Sequence, residues 1–306
     1  MTYPSLVEQF NGSEIVVAPG VFDGLSATLA ARAGFSAAYL TGSGIAYCRF
    51  GKPDIGLISM SEVAETLSVI RECIEVPLIV DADTGYGNAL NVQRTVRLFE
   101  RCGANAIQLE DQTNPKRCGH LTGKSLVSTA EFVGKIKAAT DARASETTLI
   151  MARTDAIAVE GFKPALERAE RYLEAGADIL FIEAPRTEQE MRAVCAQFQE
   201  RVPLLANMVE GGFTPMFDAA QLQEFGFKLV IFPGGTTRAR SKTEMEYFAS
   251  LKAHGWNQPF RDRMLDLTEL NTLLDTDRIL ETGAQYDAEH FKYPKRNLIR
   301  RRQTAS

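Results

Sequence analysis

Short apolar runs alternate along this chain with longer stretches in which apolar positions recur every third or fourth residue. The runs fall at residues 15–18, 37–40, 78–80, 106–109, 148–151, 179–182, 203–206 and 228–232. Their near-continuous hydrophobicity is that of parallel strands covered on both faces. Between them, residues 61–73, 91–102, 129–140, 164–175 and 188–198 carry the helical period. Pro164 near one start, and Ser128 or Thr129 as an N-cap, are helix-start signals. A weak repeat supports the same reading: helix, glycine, small or aromatic residue, then strand recurs around Gly34, Gly103, Gly176 and Gly226. Each glycine sits where a helix has to end and turn into the next strand.

Strand–helix alternation of this kind predicts an eight-stranded (β/α)8 barrel, one domain over residues 1–306. The alternative, an open doubly wound sheet, would call for a Gly-x-Gly-x-x-Gly turn after the first strand, and none is present. From about residue 258 the chain reads as added helices, at 265–274 and 275–281, placed to pack on a neighbour in an oligomer.

Composition narrows the function classes. With 45% apolar and 24% charged residues, the 306-residue chain has ample material for a core. A net charge of −5 gives no reason to expect nucleic acid or an anionic membrane as partner. The basic cluster Lys292, Lys295, Arg296, Arg300, Arg301 and Arg302 reads as a solvated tail. No apolar run approaches a membrane span, and MTYPSLVEQF lacks the pattern of a signal peptide. Cys48, Cys73, Cys102, Cys118 and Cys195 are odd in number and scattered, as in a reducing compartment, so a cytoplasmic protein is expected.

Chemistry enters at the strand ends, where a barrel of this kind builds its site. They read Tyr39-Leu40-Thr41-Gly42-Ser43-Gly44, Asp81-Ala82-Asp83, Glu110-Asp111, Arg153-Thr154-Asp155, Glu183, then Asn207 and Glu210. Converging carboxylates repel unless a hard cation neutralises them, so Asp81, Asp83 and Glu110 predict a Mg²⁺ site with retained waters. Asp111 and Asp155 taken singly are also candidates for capping helix starts. The glycines after Thr41 would leave backbone N–H groups open to an anion, as nests do.

After the strand at 106–109 the pattern breaks at Asn114-Pro115 into a loop holding Lys116, Arg117, Cys118, Gly119 and His120. Cationic neighbours favour thiolate, so this cysteine is expected to have a lowered pKa. Zinc is excluded by the absence of paired Cys/His spacing, and neither a P-loop nor a Gly-x-Ser-x-Gly elbow occurs.

These stretches resemble the isocitrate lyase/phosphoenolpyruvate mutase superfamily over about residues 10–285. The matching segments are PGVFDGLSA, YLTGSGIA, DADTGYG, LEDQ, KRCGH, ARTDA and NMVEGG. The KRCGH loop is similar to that of the carbon–carbon lyases, and its cysteine is absent from the phosphonomutases. The branches nearest in length and pattern act on 2-methylisocitrate and on 2,3-dimethylmalate. The resemblance implies Mg²⁺, with Mn²⁺ as the alternative, held by Asp81, Asp83 and Glu110 with Asp54 in support. It implies a small carboxylate substrate whose pyruvate-like end meets Thr41, Gly42 and Ser43, gripped by Arg153, with Arg117, Gly119, Glu183 and Asn207 lining the pocket. It makes Tyr39 the candidate for the hydroxyl proton and Cys118 the acid, tuned by Lys116, Arg117 and His120. Gly119 and Gly123 would let the loop deform as a gate. It further implies a homotetramer that exchanges its C-terminal helices.

Three departures bear on the substrate. Gly211-Gly212 follows Glu210 where 2-methylisocitrate lyases usually carry phenylalanine, a pattern nearer to the dimethylmalate lyases, oxaloacetate hydrolases and mutases. Pro233 stands where the hydrolases tend to have serine, and Gln108 where the lyases often have histidine. Hydrolysis or decarboxylation of oxaloacetate is the second reading, a phosphonomutase the third, and a non-catalytic scaffold the alternative of a different class.

Overall fold

The computed structural model describes residues 3–286, so the basic cluster at 292–302 lies outside the described residues. The chain divides into two compact units, one up to Ser241 and one from Lys242 onward. In the first unit the strands are β1 Val16–Val21, β2 Ala38–Leu40, β3 Leu78–Asp81, β4 Ala106–Glu110, β5 Leu149–Thr154, β6 Ile179–Ile182, β7 Leu204–Asn207 and β8 Leu229–Phe232. Each pairs in parallel with the next and β1 closes on β8, a closed barrel in sequence order as the alternating pattern predicts.

Helix α1 (Leu6–Phe10) precedes the barrel; α2 (Gly24–Arg32) and α3 (Gly42–Phe50) follow the first two strands. Helices α4 (Met60–Cys73), α5 (Ala89–Arg101), α6 (Thr129–Ala142), α7 (Phe162–Glu174), α8 (Glu188–Phe198) and α9 (Ala219–Phe225) continue the alternation. Ser128 is the N-cap of α6, accepting the Glu131 N–H at 3.1 Å. The repeat glycines Gly34, Gly103, Gly176 and Gly226 have φ of +89°, +96°, +100° and +114°, the left-handed turn the pattern calls for.

Side chains alternate across each strand, and this parity sorts the core into two parts. Val16, Ala18, Tyr39, Ile79, Ala106, Met151, Phe181, Leu205 and Ile231 fill the barrel interior, joined by Leu6 and Phe10 from α1. Leu40, Val80, Ile107, Leu109, Ile150, Leu180 and Val230 face the helices. Carried two residues further along the strand, or four in β4, the interior parity delivers Thr41, Asp81, Glu110, Arg153, Glu183 and Asn207 to the mouth. The opposite parity sends Asp111 outward.

Five strands, β1, β3, β4, β5 and β7, run beyond the apolar runs that mark them. β5 continues to Thr154 rather than stopping at 151, and the ladder pairs Glu110 with Arg153 and Asp81 with Gln108. Hydrophobicity ends before the hydrogen bonding does because the last rungs carry the polar residues of the mouth. A second difference lies at Thr41-Gly42-Ser43-Gly44. These residues form the N-cap and first turn of α3 rather than a nest, with the Thr41 side chain accepting the Gly44 N–H.

The 20-residue helix α10 (Gly235–His254) crosses the division between the units; α11 (Leu267–Leu273) and α12 (Thr276–Ala284) match the added helices expected near the C-terminus. Neither α11 nor α12 has a buried residue, and Met245, Phe248, Trp256, Leu267 and Leu280 are all more than half exposed.

Candidate active site

Three strand ends and one loop assemble the acidic side of the mouth. Asp81 ends β3, and Asp83, two residues on, is held in the left-handed region at φ +47°. A Cβ on Gly42 would lie 3.2 Å from Asp81 Oδ2 and 3.6 Å from Asp83 Oδ1, so the bare backbone at the start of α3 faces both carboxylates. First-turn N–H groups have no intrahelical acceptor, and the helix dipole favours an anion there. Anion-binding amides and a carboxylate pair therefore share one small space.

Lys116 supplies the positive charge in that space. Its ammonium is 2.6 Å from Asp54 Oδ1 and 2.9 Å from Asp83 Oδ1, with every partner nearly buried. Burial works against the lysine charge, but Asp83 and Asp54 outweigh it and raise its pKa well above the usual value. Burial likewise pushes the Asp83 carboxyl up to about 6, against the pull of Lys116. Asp83 Oδ1 nonetheless makes no aligned hydrogen bond.

Among the described residues no three His, Cys, Asp or Glu side chains converge as a ready-made metal cage. The donors fit a cation that keeps much of its water: two carboxylates, one oxygen of which is buried without an aligned hydrogen bond, facing a glycine that leaves them uncovered. Mg²⁺ is bound in this way, through one or two carboxylates and several waters. Glu110 lies 3.3 Å from Arg153 Nε and accepts the Gln112 amide at 3.0 Å, and burial pushes its carboxyl well up. Tyr39 donates to Gln108 Oε1 at 2.9 Å, and the Gln108 amide donates to Asp81 at 3.1 Å. Burial, then the Asp81 charge, hold the Tyr39 phenol well above its ordinary value.

The cysteine loop continues from Lys116, through a hydrogen bond from the Cys118 N–H to the Asp54 carbonyl at 3.2 Å, toward Arg153 and Glu183. Its Asn114–Pro115 peptide bond is cis. A Cβ on Gly119 would come within 2.2 Å of Glu183 Oε1 and 2.5 Å of Arg153 Nη2, so close approach requires glycine here. Glu183 also accepts the Asn207 amide at 3.1 Å and lies 3.2 Å from His120 Nε2. The His120 ring seats against the Gly212 backbone and accepts the Phe213 N–H at Nδ1, which leaves the proton of the neutral ring on Nε2, toward Glu183. Burial lowers the His120 pKa and keeps the ring neutral.

The lowered cysteine pKa expected from the basic neighbours is not found. Burial, followed by the Asp54 charge, raises the Cys118 thiol above its ordinary value. The cations beside it in sequence are engaged elsewhere: Lys116 with two aspartates, Arg117 with the Thr122 carbonyl, and His120 uncharged. Cys118 is a protonated thiol at neutral pH.

Arg153 also differs from expectation. Its guanidinium forks onto its own neighbour Asp155 through Nε (2.9 Å) and Nη2 (3.1 Å), beneath which Phe181 packs at 5.0 Å. The fork foreseen for substrate is thus committed within the protein. Asp155 makes no side-chain cap for the short turn after it. Its second partner, Lys124 at 2.9 Å, carries no signal in the sequence beyond being a lysine in a polar loop.

Asp111 is structural, as its outward parity requires. It accepts Thr154 Oγ1 at 2.7 Å, Tyr172 Oη at 2.8 Å and the Asp155 N–H at 3.0 Å, tying β4 and β5 to α7. Removing one donor from a buried carboxylate costs about 1–3 kcal/mol. Tyr172→Phe is therefore expected to lower the melting temperature by several degrees while leaving turnover unchanged; a loss of turnover at unchanged stability would move Asp111 into the reacting site.

Residues 8–251 match the family described as phosphoenolpyruvate phosphomutase. The chain is 43% identical over 287 residues to the 2,3-dimethylmalate lyase of Eubacterium barkeri, covering 93% of this chain and 98% of that one. It is 48% identical over 275 residues to the 2-methylisocitrate lyase of Aeropyrum pernix, covering 89% and 87%. A crystal structure of 2,3-dimethylmalate lyase superimposes with a TM-score of 0.87 at 36% identity, over 92% of this chain and 93% of that one.

Proposed function

This chain belongs to the phosphoenolpyruvate mutase/isocitrate lyase superfamily, and from that membership we propose a Mg²⁺-dependent lyase that cleaves a substituted 2-hydroxy di- or tricarboxylate into an α-keto acid such as pyruvate and a second carboxylate. The observation that carries the reading is the seat of the Cys118 loop, which packs Gly119 against Arg153 and Glu183 and extends Lys116 to Asp83, beside Asp81 and the start of α3.

The keto-acid end of the substrate would lie at the Gly42 and Ser43 amides and Thr41, where the helix start favours its carboxylate. Mg²⁺ held at Asp81 and Asp83 would stabilise the alkoxide left when the substrate hydroxyl loses its proton, before that electron pair forms the keto group and the carbon–carbon bond breaks. That hydroxyl proton would pass to Tyr39 as its phenolate, a form that burial and the Asp81 charge disfavour and that a cation bound at Asp81 would favour. Cys118 then gives its S–H proton to the carbon that inherits the bonding pair, and the Arg153 charge beside it offsets the carboxylate that forms. Neutral His120 and Asn207 orient Glu183, which fixes the wall on which Gly119 rests.

Pyruvate release should be measured with 2-methylisocitrate, 2,3-dimethylmalate and oxaloacetate side by side in Mg²⁺. Pyruvate from either substituted acid supports the lyase and names the substrate. Oxalate and acetate from oxaloacetate, with no pyruvate from the other two, would overturn it in favour of a hydrolase.

The exposed apolar faces of α10, α11 and α12 support a homo-oligomer, read here as a tetramer with exchanged C-terminal helices. Ile279→Glu with Leu280→Glu is expected to lower the solution mass measured by light scattering, and an unchanged mass would remove this support. Among the described residues no helix is long and apolar enough to cross a membrane. The five free thiols support a cytoplasmic setting.

A further inference from the structure

Lys124 is a buried cation for which the proposed chemistry has no use. Its side chain is 1% exposed, and its ammonium donates both to Asp155 Oδ1, at 2.9 Å, and to the Gly119 carbonyl. Taking an ammonium out of water costs several kcal/mol unless it is paired and hydrogen-bonded, so both partners are needed to hold it there. Asp155 is equally buried and shares its two oxygens between Lys124 and the Arg153 fork. One carboxylate thus joins the loop's lysine to the arginine on which Gly119 lies.

The turn is also anchored on either side of Gly119, where the Cys118 N–H donates to the Asp54 carbonyl at 3.2 Å and His120 Nδ1 accepts the Phe213 N–H at 3.1 Å, while its outer part is open. Leu121 is 45% exposed, and Thr122 and Gly123 are exposed as well. Swinging the turn away from Arg153 and Glu183 means breaking the Gly119 carbonyl bond, the Asp155 pair, or both, along with the His120–Phe213 bond; of these, the Lys124 contacts are the ones that tie the turn to the Arg153–Asp155 pair. We propose that Lys124 is a positioning residue that staples the Cys118–Gly119 turn to the Arg153–Asp155 pair and so keeps the thiol closed over the mouth. The catalytic consequence rests on the lyase reading; the effect on loop position does not.

The test is the rate at which iodoacetamide alkylates each cysteine, resolved by peptide mass spectrometry without metal or substrate. In Lys124→Met the Cys118 rate is expected to rise about tenfold as the turn opens to solvent. Lys124→Arg, which keeps the charge, should stay within about twofold of the parent. Exposed Cys73 serves as the reference, and buried Cys195, its thiol pushed up to about 12, should stay unreacted unless the fold is lost. A parental Cys118 rate in Lys124→Met, with Cys195 unreacted, would overturn the proposal. Should Cys195 react in that variant, Lys124→Gln replaces it, and equal Cys118 rates in the Gln and Arg variants would overturn it likewise. If the parent cleaves a substituted malate, kcat in Lys124→Met should fall about 10²-fold with KM little changed. A parent that turns over none of these acids would sink the lyase reading while leaving the alkylation ratio intact.

Discussion

Cys118→Ala is expected to lower turnover by about 10²–10⁴-fold, the range that a positioned general acid supplies. The protein should keep its fold, because the side chain sits on a loop and belongs to neither part of the barrel core. The expectation depends on the thiol being an acid rather than a nucleophile. Burial and the Asp54 charge hold its proton, and the lysine beside it in sequence is consumed by Asp54 and Asp83. Cys118→Ser separates the two roles. A hydroxyl of similar size is a far weaker acid, so Ser should be nearly as inactive as Ala, whereas a merely space-filling cysteine would tolerate it. An active Cys118→Ala enzyme, assayed by pyruvate release, would exclude the mechanism.

That reversal of the cysteine's expected pKa shows where the sequence is legible and where it stops. The barrel is readable because burial on both faces leaves unbroken apolar runs, and the helix-to-strand turns demand residues such as Gly103 and Gly176. The mouth is readable as a set of residue types, since parity carries Thr41, Asp81, Glu110 and Arg153 to one end of one cavity. Which charge meets which is not readable. Lys116 and Lys124 both come from one loop, yet the first reaches aspartates at 54 and 83 and the second Asp155. Those pairings depend on how the loop lies across the barrel, which neighbours in sequence do not report. Likewise the sequence does not show that Gly119 is needed for space, which follows from a Cβ there coming within 2.2 Å of Glu183 Oε1.

Asp83→Asn should weaken Mg²⁺ binding by more than about 100-fold, beyond the 10–100-fold that changes outside the ligand shell produce. Asp83 carries a buried oxygen without an aligned hydrogen bond, directed with Asp81 toward the bare backbone of Gly42. Turning it into an amide removes one of the two charges that a hard cation would meet there. Asp54→Asn makes the informative contrast. Asp54 spends its carboxylate on Lys116 at 2.6 Å, so its loss should act only through the lysine and cost less than Asp83 does. Isothermal titration with Mg²⁺ in the absence of substrate reads both variants without relying on turnover. The order Asp83 well above Asp54 supports a site built on β3 and the start of α3. Equal losses would place Asp54 among the ligands and displace Lys116 from its position on metal binding, and no loss in either variant would remove the metal from the Asp81–Asp83 pair altogether.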